Sequence, residues 1–189
     1  MAIRINPTTH SRFSEVDFEH LVFGKVFSDH MFVSDVMDGQ WDEGSIMPYG
    51  RFEVAPSMSA LHHAQAIFEG MKVHRSPEGD PLLFRWHDNY NRLNISAARM
   101  CMPAVPESLF WEGFSNLIRL DKAFIPNRPD TALYVRPVYF ATEEAIGVKA
   151  SRSYRFIIFT TPTGPFYSEP LKVFIEQHYS RSADGGTGY

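Results

Sequence analysis

Strand-like and helix-like patterns in this chain come in groups and do not alternate. Strand signals come first, a short helix and a hairpin follow, and two longer helices precede a last group of strands. A parallel sheet built from βαβ units would show strict alternation, so this order predicts an α+β fold in two layers. The predicted strands, by residue number, are 30–38, 49–54, 68–74, 81–85, 132–142, 154–161 and 171–177.

The helices are predicted from capping residues and from apolar residues at helical spacing. A short helix covers 59–66. The second helix is capped by Asp88 and Asn89 and ends before Pro103, while the third begins at Pro106.

Composition narrows the classes of protein to which the chain can belong. Of its 189 residues 44% are hydrophobic, and 18 basic against 22 acidic residues give a net charge of -4. A chain of this size buries roughly 70% of its unfolded surface and forms a core without metal or disulfide. Cys101 has no second cysteine to pair with, and its apolar neighbours predict a buried side chain. We expect a cytoplasmic protein that binds neither nucleic acid nor membrane.

Arg92 is the first candidate for binding a ligand. It lies on the first turns of the second predicted helix, where a guanidinium and the positive helix end can together hold an oxyanion. On these residues alone, a solvated arginine in a surface ion pair is the commoner alternative.

Tyr134 and Arg136 are the second candidates. Strand alternation places both on one face, opposite Leu133 and Val135. Two polar groups on an otherwise apolar face need a partner, which a ligand could supply. A Tyr–Arg pair at a sheet edge is an equal alternative, because Pro137 removes a ladder donor.

A third group of polar and small residues lies between 61 and 72. His62 and His63 are adjacent, and on a helix they diverge by about 100°, so no metal site is predicted. Phe68 and Gly70 share one side of a strand, where a ligand could approach the backbone at Gly70 closely.

Four motifs make these weak signals specific because they occur together. In chain order they are HHAQAIFEGMKVHR, LFRWHDNYNRLNISAARMCMP, LYVRPVYFATEEAIGV and RSADGGTGY. This series resembles the front half of the branched-chain-amino-acid aminotransferases, which are class IV enzymes of fold type IV that use pyridoxal 5′-phosphate. The resemblance runs from Leu21 to Tyr189 and implies the two-layer small domain of that fold type.

The resemblance also implies roles for single residues. Arg92 resembles the arginine that binds the cofactor phosphate. Tyr134 and Arg136 match a pair beside the substrate. Phe23, Phe68 and Gly70 match positions that line the pocket for a branched side chain. Val148 matches a position that reaches the partner subunit's site.

The chain departs from the family pattern at two places. His63 stands where a tyrosine hydroxyl is usual near the substrate, and imidazole can still donate a hydrogen bond. The lysine that forms the Schiff base follows the GGTG loop within about three residues in the family, so we expect it just after Tyr189, and no catalytic residue within this chain.

The implied organisation has three segments: a flexible N-terminal segment at 1–20, a small N-terminal aminotransferase domain at 21–175, and a connection at 176–189 that leads into a larger domain. The implied reaction transfers the amino group of Leu, Ile or Val to 2-oxoglutarate in a homodimer, and this chain alone is expected to be inactive. The alternatives are a D-amino-acid aminotransferase, an aminodeoxychorismate lyase, or a non-catalytic module that binds a phosphate-bearing ligand or a partner protein.

Overall fold

One nine-stranded sheet and three helices form the regular structure of the residues described by the computed structural model, which are 3–165, 167 and 170–178. The strands are β1 (Arg4–Ile5), β2 (His30–Met37), β3 (Gln40–Trp41), β4 (Ser45–Pro48), β5 (Ala66–Phe68), β6 (Met71–Arg75), β7 (Pro81–Leu83), β8 (Ala132–Ala141) and β9 (Ser153–Thr163). The helices are α1 (Ser59–His63), α2 (Trp86–Arg99) and α3 (Glu107–Leu120), and short 3₁₀ turns cover Phe13–Glu15 and Lys122–Phe124.

The long strands β8 and β9 form the centre of the sheet. The strand order is β1-β4-β2-β9-β8-β6-β7, with β3 beside β2 and β5 beside β8. Only the pairing of β1 with β4 is parallel, and the other pairings of the described strands are antiparallel. The sheet and its helices confirm the predicted α+β class.

The two faces of the sheet have different surroundings. On β8, Leu133, Val135 and Tyr139 are fully buried, whereas Tyr134 and Arg136 on the opposite face are partly exposed. The buried face packs against the apolar sides of α2 and α3, which supply Leu93, Ala97, Leu109, Phe110, Phe114, Leu117 and Ile118 to the core. The helices therefore form one layer and the sheet the other, with one sheet face left open in part.

The link between α2 and α3 is held by side chains of α2. The Asn94 amide accepts a hydrogen bond from the Val105 backbone N–H at 2.8 Å and donates to the Val105 carbonyl at 3.2 Å. The Tyr90 hydroxyl donates to the same carbonyl at 3.0 Å. These bonds satisfy backbone groups that a loop would otherwise leave unpaired.

Several predicted strand and helix boundaries are wrong. The strand predicted at 49–54 lies at Ser45–Pro48, because β2 begins at His30 and Pro48 is the last residue it can pair. The helix predicted over 59–66 ends at His63, since Ala64 is left-handed (φ 52°) and the next residues pair with β8.

The predicted cap of α2 is also wrong. The helix begins at Trp86, two residues before Asp88, after a left-handed Arg85 (φ 53°). The Trp86 ring stacks on Trp111 of α3 with 4.5 Å between ring centroids, so contact with another helix fixes this end. Asp88 pairs with the Arg85 side chain instead of capping the helix.

Two further predictions do not hold. The described residues 170–178 form no strand, so the β-rich run at 171–177 is not part of the sheet. Cys101 is exposed, and it follows the end of α2 in a left-handed conformation (φ 56°).

The N-terminal residues are attached to the sheet by strand pairing and by a bond to a side chain. Arg4 and Ile5 pair with Ser45 and Ile46 of β4. The Thr8 backbone N–H donates to His30 Nε2 at 2.8 Å. The division of the chain at residue 20 and residue 175 stays a prediction.

Candidate functional site

Tyr134 and Arg136 form the centre of the candidate site on the partly open face of the sheet. Arg136 Nη2 donates a hydrogen bond to the Tyr134 hydroxyl at 2.9 Å. The same guanidinium lies over the Phe68 ring at 4.4 Å from its centroid, which is a cation–π contact. Neither residue is at an edge of the sheet, because β8 pairs with β9 on one side and with β5 and β6 on the other.

Gly70 makes room for the Tyr134 hydroxyl. It lies between β5 and β6, and a Cβ at this position would stand 1.9 Å from Tyr134 Oη. A larger residue at position 70 would therefore displace the tyrosine that Arg136 holds.

An aromatic cavity of about 190 Å³ adjoins this pair. The Phe23 ring meets the Tyr134 ring edge-on, with 5.0 Å between their centroids. The residues lining the cavity are Phe23, Gly24, Phe27, Tyr134, Arg136, Phe159 and Thr161. Apolar walls with one cation suit a small ligand that has an apolar side chain and an anionic group.

Arg136, which lines this cavity, has one hydrogen-bond donor without a partner among the described residues. Arg136 Nε is buried and makes no hydrogen bond within the described part of the chain. Leaving a buried charged donor unpaired is unfavourable, so a change that gave Arg136 Nε an acceptor would stabilise this arrangement.

Arg92 is held by a buried carboxylate, Glu69. The Arg92 Nε and Nη2 donate to Glu69 Oε1 and Oε2 at 2.5 and 2.6 Å. The Glu69 side chain is 4% exposed, whereas the Arg92 side chain is 65% exposed. Two of the guanidinium's five N–H groups are thus used, and the others remain available to an anion.

Hydrogen bonds determine the charge state of Glu69. Burial raises the pKa of its carboxyl, but bonds from Arg92 and Asn89 outweigh burial and hold that pKa below 4.5. Glu69 in turn raises the pKa of Arg92. The pair is therefore ionised at neutral pH.

Glu69 is a residue that the sequence analysis missed. It is adjacent to Phe68 and Gly70, so it joins the arginine of α2 to the strand that contacts Tyr134 and Arg136. The available signal was an acidic residue between two candidate site residues of a strand, with an arginine on the helix that follows. Five of the predicted residues, namely Phe23, Phe68, Gly70, Tyr134 and Arg136, lie together, and Glu69 connects Arg92 to them.

His63 and Val148 belong to a second group. The His63 Nε2 lies 3.1 Å from the Ile146 carbonyl, within the loop that carries Val148. Val148 is 91% exposed. His62 bonds instead to the Pro56 carbonyl at 2.8 Å, so the adjacent histidines turn to different partners.

Metal clusters, membrane helices and other clefts were the remaining places for a functional site. The described residues contain no cluster of three or more His, Cys, Asp or Glu able to hold a metal ion. No helix in that same part is long and apolar enough to cross a membrane. A cleft of about 480 Å³ lies apart from Tyr134, between residues 74–77 and 126–131. The GGTG loop at 185–188 lies outside the described residues.

Comparison with known proteins identifies homologues over nearly the whole chain. It is 42% identical over 178 residues to branched-chain-amino-acid transaminase 1 of Bacillus subtilis (strain 168), covering 92% of this chain and 50% of that protein. Branched-chain-amino-acid aminotransferase 2 of the same strain is 40% identical over 190 residues, covering 98% and 52%. The chain spans about half the length of the curated relatives it matches. The sequence matches no protein-family model.

A solved structure shows the same fold. It is the branched-chain amino acid aminotransferase from Thermobaculum terrenum in its PLP-bound holo form, with a TM-score of 0.53 and 20% identity over 71% of this chain and 40% of that one. This likeness supports the architecture alone, and the sequence relatives support the homology.

Proposed function

We propose that this chain, a homologue of the branched-chain-amino-acid aminotransferases, is the part of such an enzyme that binds the cofactor phosphate and the substrate side chain. The observation that carries the proposal is the continuous contact from Arg92 through Glu69 and Gly70 to Tyr134 and Arg136. It joins an exposed guanidinium to an aromatic cavity.

Arg92 is the proposed ligand of the phosphate of pyridoxal 5′-phosphate. Glu69 fixes the plane of its guanidinium, and the exposed N–H groups can donate charge-assisted hydrogen bonds to a phosphate. One such bond contributes about 1.5–3 kcal/mol, which positions a cofactor without performing its chemistry. When bound, the cofactor supplies the electron sink through which an amino group is exchanged for a keto group.

The cavity beside Tyr134 is the proposed pocket for a branched aliphatic side chain. Phe23 supplies an aromatic wall, Phe68 lies against the Arg136 guanidinium beside the cavity, and Gly70 lets Tyr134 lie close to the backbone. Leu, Ile and Val differ by the placement of single methylene groups, so such walls accept all three and discriminate weakly. Arg136, which lines the cavity, is the proposed partner of a substrate anion, and 2-oxoglutarate is the proposed amino acceptor.

His63 and Val148, which form a group apart from the residues around Tyr134, are also proposed to contribute to the substrate site. The exposed Val148 would reach the partner subunit's site in a homodimer, and His63 would replace the usual tyrosine near the substrate. The imidazole already bonds to the loop that carries Val148, so a change at His63 would also move that loop.

The complete reaction belongs to the complete protein. The relatives are about twice as long as this chain. The lysines of this chain, Lys25, Lys72, Lys122, Lys149 and Lys172, are not in the position of the family's Schiff-base lysine, which the resemblance places after Tyr189. We therefore expect the 189-residue chain to bind the cofactor and to catalyse no transamination.

Titration of the chain with pyridoxamine 5′-phosphate tests the role of Arg92. Replacing Arg92 by Met should raise the Kd for this phosphate ester about tenfold or more, because a charge-assisted bond is lost. Arg119→Met is the matched control, since Arg119 is an exposed helix arginine bonded only to Asn116 among the described residues, and it should leave the Kd unchanged. Equal binding by Arg92→Met and the unchanged chain would refute the assignment.

A further inference from the structure

A second cavity lies on the partly open face of the sheet, at the other end of β9. It measures about 370 Å³, a size within the range of small-molecule sites. Its floor is apolar and includes Met31 and Met47 of neighbouring strands and Ile157 of β9. Methionine side chains adapt to the shape of an aliphatic ligand.

Four charged side chains surround this floor. Arg155 Nε and Nη2 donate to both oxygens of Asp35 at 2.7 Å each. Asp42 Oδ1 accepts hydrogen bonds from Ser34 Oγ at 2.7 Å and from the Gly44 N–H at 3.0 Å, while Oδ2 has no hydrogen-bond partner among residues 3–165.

Arg51 is the fourth charged group of the cavity. Its guanidinium is exposed and makes no hydrogen bond or ion pair with any described residue. The cavity therefore holds two cations and two anions, with a free donor group on Arg51 and a free acceptor on Asp42.

This balance of charge selects the class of ligand. An anion would meet Asp35 and Asp42, and a cation would meet Arg51 and Arg155, so a net charge of either sign is disfavoured. A zwitterion can place its carboxylate at the arginines and its ammonium at the aspartates. We propose that this cavity, lined by Met31, Met47, Ile157, Asp35, Asp42 and Arg155, binds a free amino acid with an aliphatic side chain.

The proposed amino acid site is separate from the cavity beside Tyr134. Phe27, Tyr49 and Phe159 pack together between the two, with ring centroids 4.8–5.9 Å apart. Arg155 precedes Phe159 by four residues on β9 and so lies further along the same face. The inference does not depend on the proposed aminotransferase role.

Methyl NMR with L-leucine tests the site on the 189-residue chain. With methionine methyl groups labelled, the signals of Met31 and Met47 should move saturably, while that of the core residue Met102 should not. 4-Methylpentanoate lacks the ammonium and 3-methylbutylamine lacks the carboxylate, so each should bind at least about tenfold more weakly than leucine. Equal binding of either analogue, or no movement at about 10 mM leucine, would overturn the proposal.

Single substitutions test whether leucine binds in this cavity or elsewhere on the chain. Arg155→Gln and Asp35→Asn should each raise the leucine Kd at Met31 about tenfold or more. Arg152→Gln is the matched control, because Arg152 makes the same two-bond pair with Asp38, at 2.7 Å, outside the cavity. Arg136→Gln should also leave this Kd unchanged. A loss of the Met31 response in Arg136→Gln, with Arg155→Gln unaffected, would place leucine at the Tyr134 cavity and refute the second site.

Discussion

The sequence predicts the placement of some residues of the candidate site but not of others. The directions of Tyr134 and Arg136 are predictable, because side-chain alternation in a strand is a local property. The role of Glu69 is not, since its partner Arg92 lies 23 residues later on a helix. Arg92 agrees in part with both alternatives, a surface ion pair and a ligand-binding arginine. It forms an ion pair, but its partner is a buried carboxylate, and its other N–H groups remain exposed.

Replacing Glu69 by Gln tests the importance of that pair. Near neutral pH the variant should lose about 1–2 kcal/mol of unfolding free energy, a value reduced for the exposure of Arg92. The folded pKa of Glu69 lies below 4.5, so its stabilisation is present above that pH and is lost as pH falls through the folded pKa. Urea unfolding of both proteins should therefore show a difference that shrinks below pH 4.5.

Asp88→Asn provides the comparison for that measurement. Asp88 pairs with Arg85, and both side chains are more than half exposed, so the change should stay within about 0.5 kcal/mol. A Glu69→Gln effect as small as that of Asp88→Asn, or one independent of pH, would contradict the assigned ion pair.

At the scale of helices and strands, the apolar periodicity of the sequence predicts where the interior of an element lies but not where the element begins and ends. The turn between β6 and β7 and the apolar stripe of α3 are where their patterns predict them, but the strand predicted at 68–74 is wrong in part, because it is interrupted at Glu69 and Gly70 and Phe68 belongs to β5. The start of α2 depends on the stacking of Trp86 on Trp111, and the end of β4 depends on where β2 begins. Such contacts join segments distant in sequence, so local capping signals do not reveal them.

The contact of α3 with β2 is a further example, and Gly113→Ala tests it. A Cβ at Gly113 would lie 2.7 Å from the Phe32 ring, which is fully buried. Alanine normally stabilises a helix interior by up to about 1 kcal/mol relative to glycine, but overpacking should here destabilise the fold by about 1–3 kcal/mol. Chemical unfolding measures the sign, and Ser115→Ala on the same helix should change stability little. A more stable Gly113→Ala variant would show that α3 is not held this closely.

At the scale of the whole molecule, the sheet separates the main core from the two cavities that we propose as ligand sites. One face is covered by α2 and α3 and contains the main core. The other face is covered only in part and carries both the Tyr134 cavity and the Arg155 cavity. The motif order predicted the relationship to the aminotransferases, which the homologues confirm, and the position of the GGTG loop stays a prediction.

The most direct test is leucine-dependent formation of glutamate from 2-oxoglutarate, measured with added pyridoxal 5′-phosphate. The account predicts turnover by the complete protein that carries this sequence and none by the 189-residue chain. In the complete protein, Arg92→Met should need about tenfold or more cofactor for half-maximal rate. Turnover by the chain alone, or its absence from the complete protein, would contradict the account.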